Sequence, residues 1–224
     1  MKNYHIIIFD LDGTLTDSQD GIIKSIQYAL SRFYIEENET EKLRKFIGPP
    51  LRDSFKRHFG FDDEMAEKAV EYYREYFGDK GIYENRLYGN IPELIQDLKC
   101  HEKRLLIAST KASFYMEKVL RHFSLDGYFE SAVGSNMDGT MSNKGDIIRK
   151  ALQSINYDSG DSIVMVGDRG LDIEGAKKNR IDSIAVTYGY GSIDELNEAG
   201  PDFIVENVNE LGRLLIPAGH DKII

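Results

Sequence analysis

Short apolar runs and helix-spaced apolar positions alternate along most of this chain. An unbroken apolar run of a few residues is typical of a strand that is covered on both faces of a parallel sheet. Such runs predict strands at 6–9, 104–108, 129–134, 162–166, 183–187 and 203–205. Apolar residues at helical spacing predict helices at 91–100, 112–123, 144–155, 171–179 and 208–215. Strands separated by helices indicate βαβ units, so we expect an α/β fold with a parallel sheet and right-handed crossovers.

A long helical stretch interrupts this alternation after the first strand. Its apolar spacing predicts helices at 19–33, 39–46, 51–59 and 62–78, and it shows no strand pattern. The triplet Gly48-Pro49-Pro50 breaks the series, because proline disfavours the α conformation in the residue before it. We therefore expect two domains, one built from residues 1–16 and 86–224 and one all-helical domain at 17–85. The tail from Pro217 to Ile224 is expected to be frayed.

Composition narrows the possible partners and locations. The chain has 224 residues, 28 Lys and Arg against 38 Asp and Glu, and a formal net charge of −10. This sign argues against nucleic-acid backbones as partners, and it means that an anionic substrate needs a local cation. The N-terminal apolar run is too short for a signal peptide or a membrane span, so the cytoplasm is the default location, with no membrane partner. A monomer is the default expectation, and a dimer is possible.

The first strand ends at a pair of carboxylates. Asp10 follows the run from Ile6 to Phe9 directly, Asp12 comes two residues later, and Gly13 allows the chain to turn. Two acids at the end of a buried strand repel each other and are costly to desolvate. Magnesium would resolve the conflict, because hard cations take carboxylate oxygens. The pair also supplies a nucleophile and a proton carrier side by side.

Other strands also end at polar residues. In open parallel sheets the functional site lies beyond the carboxyl ends of the strands. The 104–108 strand is followed by Ser109-Thr110-Lys111, and the 162–166 strand by Gly167 and Asp168, with Asp172 four residues later. Lys144, at the start of a helix, can supply a cation there. Taken singly, Ser109 could be a helix cap, Asp172 a first-turn acid and Lys144 a solvated lysine.

Four of these segments, in this order, resemble the motifs of the haloacid dehalogenase superfamily of phosphotransferases. They are D-L-D-G-T-L-T-D-S at 10–18, S-T-K at 109–111, S-N-K-G-D at 142–146 and G-D-R-G-L-D at 167–172. Two further stretches, V-T-Y-G-Y-G at 186–191 and A-G-P-D-F-I-V at 199–205, resemble the phosphoglycolate phosphatase-like branch. In the second motif a Thr-Asn-Lys triplet is usual in related phosphatases, and this chain differs from it at two positions.

The resemblance implies a Rossmann-like, doubly wound parallel sheet, an inserted all-helical cap and a phosphatase mechanism. Asp10 would attack phosphorus, and Asp12 would act as general acid and base. Ser109 would donate a hydrogen bond to phosphate, and Lys144 would offset negative charge. The implied cofactor is Mg²⁺, bound by Asp10, Asp168 and the backbone carbonyl of Asp12, with Asp172 binding through water or orienting the others.

The resemblance also implies contacts to a small phosphorylated metabolite. The predicted substrate-binding residues are Gly13, Thr14, Thr110, Lys111 and, on the cap, Arg52. Arg52 lies in F-I-G-P-P-L-R at 46–52, which resembles the cap loop that faces the substrate in related enzymes. Tyr188 and Tyr190 are expected to pack rather than to bind a ligand.

Other functions stay open at this point. A phosphomutase of the β-phosphoglucomutase type would use the same aspartyl phosphate, and a phospho-accepting signalling module would need neither the cap nor Asp12. Halide-removing members of the superfamily lack the D-x-D arrangement, so Asp12 argues against them. Phosphoglycolate, a nucleoside monophosphate and pyrophosphate all remain possible substrates.

Overall fold

The structure is a computed structural model that describes residues 2–216. Its described part divides into two compact units. The core unit comprises residues 2–15 and 87–216, and the helical unit comprises residues 16–86. The predicted frayed tail from Pro217 to Ile224 lies outside the described residues.

Eight strands and ten α-helices make up the described chain. The strands are β1 (Ile6–Phe9), β2 (Thr16–Asp17), β3 (Arg86–Leu87), β4 (Arg104–Ala112), β5 (Ser131–Ser135), β6 (Ile163–Gly167), β7 (Asp182–Val186) and β8 (Phe203–Val205). The helices are α1 (Gln19–Ser31), α2 (Thr40–Arg44), α3 (Leu51–Phe59), α4 (Asp63–Tyr76), α5 (Ile91–Cys100), α6 (Ser113–His122), α7 (Lys144–Gln153), α8 (Gly170–Asn179), α9 (Ile193–Ala199) and α10 (Val208–Leu215). Within residues 2–216, none of these helices is both long and apolar enough to cross a bilayer.

A six-stranded parallel sheet forms the centre of the core unit. Its strand order is β5-β4-β1-β6-β7-β8, and β2 and β3 form a separate two-stranded sheet. All four residues of β1 are fully buried, which explains its unbroken apolar run. Phe9 lies opposite Ile107 of β4 and Val166 of β6, so the ends of these three strands share one edge. The predicted α/β class with a parallel sheet flanked by helices is confirmed.

The helical unit has its own apolar core. Buried residues from all four of its α-helices form this core, among them Ile26, Leu43, Phe55 and Tyr73. The ring of Phe55 packs edge-on against Phe46, with centroids 5.1 Å apart. Each such buried side chain contributes roughly 1.5–3 kcal/mol relative to an exposed one.

Several elements differ from the sequence prediction. The strand predicted at 104–108 continues to Ala112, with a register shift against β5 between Ala108 and Ala112. Helix α6 therefore begins at Ser113, and Ser109 is part of a strand rather than a helix cap. The helix predicted at 62–78 ends at Tyr76 and is followed by a π-helical turn at Phe77–Gly81.

Three short elements were not predicted. Strands β2 and β3 have two residues each, too few to show a period. Helix α9 has seven residues and only Leu196 fully buried, so its apolar pattern is weak. The helix forms because the side chain of Ser192 caps it by accepting a hydrogen bond from the Glu195 backbone.

Candidate active site

Three carboxylates meet where β1 and β6 end. Asp10 follows β1, and its backbone N–H continues the sheet by donating to the Val166 carbonyl at 2.9 Å. Asp168 follows β6, and Asp172 lies in the first turn of α8. One oxygen atom from each of these three side chains lies within 4.8 Å of the other two. Asp10 is 4% exposed, and Asp168 and Asp172 are fully buried.

Lys144 brings one positive charge to this cluster. It is the first residue of α7, which begins after Asn143, whose side chain accepts a hydrogen bond from the Asp146 backbone. The Lys144 Nζ atom lies 2.7 Å from Oδ1 of Asp10 and 2.7 Å from Oδ1 of Asp172. Burial disfavours its charge, but the two carboxylates outweigh that effect and raise the pKa of Lys144. Lys144 is therefore a buried ammonium group and not the solvated lysine that the sequence left open.

Asp168 is held by hydrogen bonds to both of its oxygens. Its Oδ2 atom accepts from the Tyr190 backbone N–H at 2.7 Å, and Oδ1 accepts from Oγ1 of Thr14 at 3.4 Å. Burial, together with the nearby Asp172 and Asp10, raises the pKa of Asp168 well above its usual range. The Asp168 carboxylate is thus fixed in position, but the nearby positive charge does not offset its burial and the repulsion from the two other acids.

Asp172 connects the cluster to the start of α8. Its Oδ2 atom accepts a hydrogen bond from the Arg169 backbone at 3.0 Å. Its Oδ1 atom forms an ion pair with Nζ of Lys144 at 2.7 Å. Burial raises the pKa of Asp172 to about 6, since the charge of Lys144 only partly opposes the effects of burial and of Asp10.

The donor set of this cluster fits a hard divalent cation. Asp10, Asp168 and Asp172 supply only carboxylate oxygens, which suit magnesium better than softer metals. One buried lysine neutralises only part of the charge of three buried acids, so a further cation would relieve their repulsion. The side chain of Asp12, the fourth residue predicted to bind the metal, lies 2.8 Å from Lys111 instead, and the role of its backbone carbonyl stays a prediction.

Lys111 pairs with Asp12. Its Nζ atom lies 2.8 Å from Oδ2 of Asp12, and the two side chains are 6% and 12% exposed. Ser109 is buried, and its Oγ atom accepts a hydrogen bond from the Lys111 backbone at 3.3 Å. The Thr110 carbonyl accepts from Oγ of Ser135 at 2.8 Å. The end of β4 therefore places a hydroxyl and an ammonium group beside the residues that follow β1.

The turn after Asp12 is close-packed against Asp168. Gly13 has φ +89°, and a Cβ atom built on it would lie 2.2 Å from Oδ2 of Asp168. Only glycine fits both the backbone conformation and the space. The turn is closed by the backbone of Leu15, which donates to the Leu11 carbonyl at 2.9 Å.

Arg52 lies at the start of α3 in the helical unit. Its Nη2 atom lies 3.1 Å from Oδ1 of Asp63, and its Nε atom lies 3.7 Å from Oε2 of Glu67. These ion pairs are largely exposed and exposed pairs are weak, so they leave Arg52 able to exchange partners. Its predicted contact with substrate remains a prediction.

Sequence reasoning missed one residue that supports the acidic cluster. Oε1 of Glu195 accepts hydrogen bonds from Nε of Arg169 at 2.9 Å and from the Gly170 backbone at 2.8 Å. Glu195 thereby fixes the segment between Asp168 and Asp172. It lies on α9, the short helix that the apolar pattern does not reveal, so no sequence signal pointed to it.

Comparison with known proteins places this geometry in a family. Residues 7–186 match the family model described as haloacid dehalogenase-like hydrolase. A Pseudomonas aeruginosa protein named 5'-nucleotidase is 41% identical, over 95% of this chain and 96% of that protein. The tyrosine-protein kinase PtkA of Mycobacterium tuberculosis is 34% identical, over 94% of this chain and 72% of that protein. A crystal structure described as a predicted phosphatase from Clostridium acetobutylicum is similar with a TM-score of 0.91 and 45% identity, covering 96% of this chain and 99% of that one.

These matches extend over the same strands and helices that carry the acids, the hydroxyl and the lysine. They confirm the superfamily that the four motifs resemble and the enzyme class that follows from it. The chain belongs to the haloacid dehalogenase-like hydrolases.

Proposed function

We propose that this hydrolase is a magnesium-dependent phosphatase that cleaves small phosphate monoesters through an aspartyl phosphate on Asp10. The observation that carries the proposal is the buried Asp10 carboxylate, which lies 2.7 Å from Lys144 and beside two further acids that can share a divalent cation with it. A carboxylate is an established type of nucleophile for phosphoryl groups. The proposal agrees with the names of the P. aeruginosa relative and of the C. acetobutylicum structure.

In the first step an oxygen of Asp10 attacks the phosphorus of the monoester, and the bond from phosphorus to the ester oxygen breaks. Asp12 gives a proton to the departing alcohol. Lys144 holds the Asp10 carboxylate in place through Oδ1 and lowers the electrostatic cost of bringing the two anions together. Mg²⁺ held by Asp10, Asp168 and Asp172 would supply further positive charge to the phosphoryl group.

In the second step Asp12 accepts a proton from water, which attacks the phosphorus of the aspartyl phosphate. The acyl phosphate bond breaks, inorganic phosphate leaves, and Asp10 is regenerated. Ser109 would donate a hydrogen bond to a phosphate oxygen in both steps, and Lys111 would keep a positive charge beside Asp12. Gly13, Thr14 and Thr110 would complete the phosphate contacts. Phosphoryl transfer depends mainly on such positioning and electrostatic stabilisation.

The substrate class favoured by the comparisons is a nucleoside 5'-monophosphate, because a relative that is 41% identical over nearly the full chain is named 5'-nucleotidase. Phosphoglycolate and pyrophosphate belong in the same panel as competing substrates. When phosphate release is measured with Mg²⁺ present, kcat/KM should be highest for the nucleoside 5'-monophosphates. A panel in which none of the phosphate esters is hydrolysed faster than in the absence of enzyme would reject the phosphatase assignment.

The nucleophile is tested with Asp10→Asn. The amide is nearly isosteric but a poor nucleophile, so kcat should fall by about three orders of magnitude or more. Asp126→Asn, at an exposed position of the same unit, is the matched control and should keep wild-type activity. If Asp10→Asn hydrolyses the best substrate at nearly the wild-type rate, Asp10 is not the nucleophile.

A second candidate follows from the 34% identity to a tyrosine-protein kinase. In that function the phosphoryl group would pass to a tyrosine hydroxyl rather than to water. Incubation with ATP and detection of phosphotyrosine separates this activity from hydrolysis.

The phosphomutase alternative is separated by product analysis with a hexose 1-phosphate, which a mutase would convert to the 6-phosphate without releasing phosphate.

A further inference from the structure

The segment after β7 packs directly against the carboxylate of Asp168. This segment, residues 187–191 (T-Y-G-Y-G), is called the β7 turn here. Its Tyr190 backbone N–H donates to Oδ2 of Asp168 at 2.7 Å, the shorter of the two hydrogen bonds described for that side chain. The β7 turn therefore contributes to the position of a proposed metal ligand that lies about 20 residues earlier in the chain.

The two glycines of the β7 turn make this close approach possible. A Cβ atom on Gly189 would lie 2.3 Å from Cβ of Asp168 and 2.4 Å from the carbonyl oxygen of Gly13. A Cβ atom on Gly191 would lie 2.0 Å from the Asp168 carbonyl oxygen. Real Cβ atoms do not approach other heavy atoms so closely, so any side chain here would push the turn away from Asp168.

Tyr188 connects the β7 turn to the loop after β1. Its hydroxyl donates to the Thr14 carbonyl at 3.0 Å, and the Thr14 side chain in turn donates to Asp168. Burial, with the nearby charge of Asp168, raises the pKa of Tyr188, so the hydroxyl keeps its proton and remains a donor. Tyr88 supports the same loop, because its backbone N–H donates to the Leu15 carbonyl at 3.1 Å and its ring lies edge-on to Tyr188 at 4.8 Å.

We propose that Tyr188 is a positioning residue for the metal site, and not only the packing residue that the sequence suggested. Its hydroxyl fixes Thr14 against the β7 turn, so that Thr14 and the Tyr190 backbone hold Asp168 from two sides. The loss of that hydroxyl leaves the Thr14 carbonyl without this donor and loosens the Asp168 carboxylate. The inference rests on the proposed magnesium site.

The test compares Mg²⁺ binding to wild type and to Tyr188→Phe by isothermal titration calorimetry, without substrate. Supporting groups around metal ligands typically change affinity by about 10-fold to 100-fold, and we expect Tyr188→Phe to weaken Mg²⁺ binding within that range. In the activity assay kcat at subsaturating Mg²⁺ should fall, while KM for the substrate changes little.

Tyr4→Phe is the matched control. Tyr4 is buried in the same unit, just before β1, and its hydroxyl donates to Oδ2 of Asp182 at 2.8 Å. Its replacement removes a comparable hydrogen bond away from the acidic cluster. It should lower the melting temperature without changing the Mg²⁺ affinity.

The possible outcomes separate the inference from the proposed function. Equal Mg²⁺ affinity in wild type and Tyr188→Phe, or equal losses in Tyr188→Phe and Tyr4→Phe, would overturn the inference alone. A wild-type enzyme that hydrolyses phosphate esters without binding Mg²⁺ would overturn the metal site and the inference with it.

Gly189→Ala gives a second measurement, because it should weaken Mg²⁺ binding more than Gly127→Ala, whose Cβ would meet no atom within 4 Å. If both glycine variants bind Mg²⁺ as wild type does, the close packing of the β7 turn has no role in binding.

Discussion

Replacing Lys144 by methionine tests how much the acidic cluster depends on one ammonium group. Methionine keeps most of the aliphatic volume of lysine but removes its charge. At an effective dielectric constant of about 20, charges 2.7 Å apart attract by about 6 kcal/mol, before the cost of burying them is subtracted. Measured losses on breaking buried ion pairs are roughly 3–5 kcal/mol, since the partner charge is left uncompensated. We expect Lys144→Met to lose stability in that range.

The expected loss is large enough to measure by thermal unfolding. For a chain of this size, roughly 2–4 °C of melting temperature correspond to 1 kcal/mol, so Lys144→Met should melt about 6–20 °C below wild type. The chain contains no tryptophan, so unfolding is followed by far-UV circular dichroism. The first measurement is made in EDTA, because a bound divalent cation would replace part of the missing charge. In a second measurement, saturating Mg²⁺ should recover part of the lost melting temperature.

Two further variants determine whether charge is the cause. Lys150→Met, on the exposed face of the same helix, should melt close to wild type. In Asp10→Asn/Lys144→Met the uncompensated charge of Asp10 is also removed, so the double variant should lose less stability than the sum of the changes in the two single variants, whatever the sign of the Asp10→Asn change. Strictly additive losses, or a Lys144→Met protein that loses less than about 1 kcal/mol, would refute the argument from buried charge.

Two other predictions concern the support and the charge state of the same cluster. Glu195→Ala removes the acceptor of two hydrogen bonds that hold the start of α8, so kcat should fall by about 10-fold or more. Glu195→Gln keeps an acceptor oxygen and should lose less activity. Equal kcat in both variants and wild type would contradict this prediction. Mg²⁺ should raise the melting temperature more near pH 7.5 than near pH 5, because the pKa of Asp172 is raised to about 6 and that of Asp168 well above its usual range, and protonated carboxyls bind cations poorly. Without metal, the folding stability itself should fall as the pH rises. The contribution of protonated Asp172 to that stability is present below about pH 3.8 and is lost as the pH rises through about 6. A larger Mg²⁺ effect near pH 5 would contradict the raised pKa values.

Sequence patterns predict the core of this fold because its central strands β1 and β6 are buried on both faces. The run Ile6–Phe9 has no polar position, which is typical of a central strand of a parallel sheet. Since neighbouring parallel strands end at one edge, the sequence alone predicts that Asp10 and Asp168 lie close together. The burial of Lys144 does not follow from the apolar pattern around it, and only the resemblance of S-N-K-G-D at 142–146 to the third motif linked this lysine to the site.

These sequence patterns do not predict which side chains pair or where short helices and strands form. The pairing of Lys111 with Asp12 depends on tertiary packing at the end of β4, which runs on to Ala112 although its last residues are polar or small. Glu195 acts from a helix of seven residues, which is too short to show a clear period. Tertiary contacts decide both features, and single-sequence patterns do not carry that information.

The order of the chain has a consequence for how the enzyme is made. Asp10 and Lys144 are 134 residues apart, and β1 pairs with β4 and β6, both of which follow it in the chain. At a translation rate of roughly 5–20 residues per second, Asp10 leaves the ribosome roughly 7–27 seconds before its lysine partner does. A nascent chain arrested in that interval carries an apolar first strand with no neighbour on its β6 side, and the Asp10 carboxylate lacks its ion pair with Lys144. Assembly of the acidic cluster with its lysine therefore belongs to a late stage of synthesis.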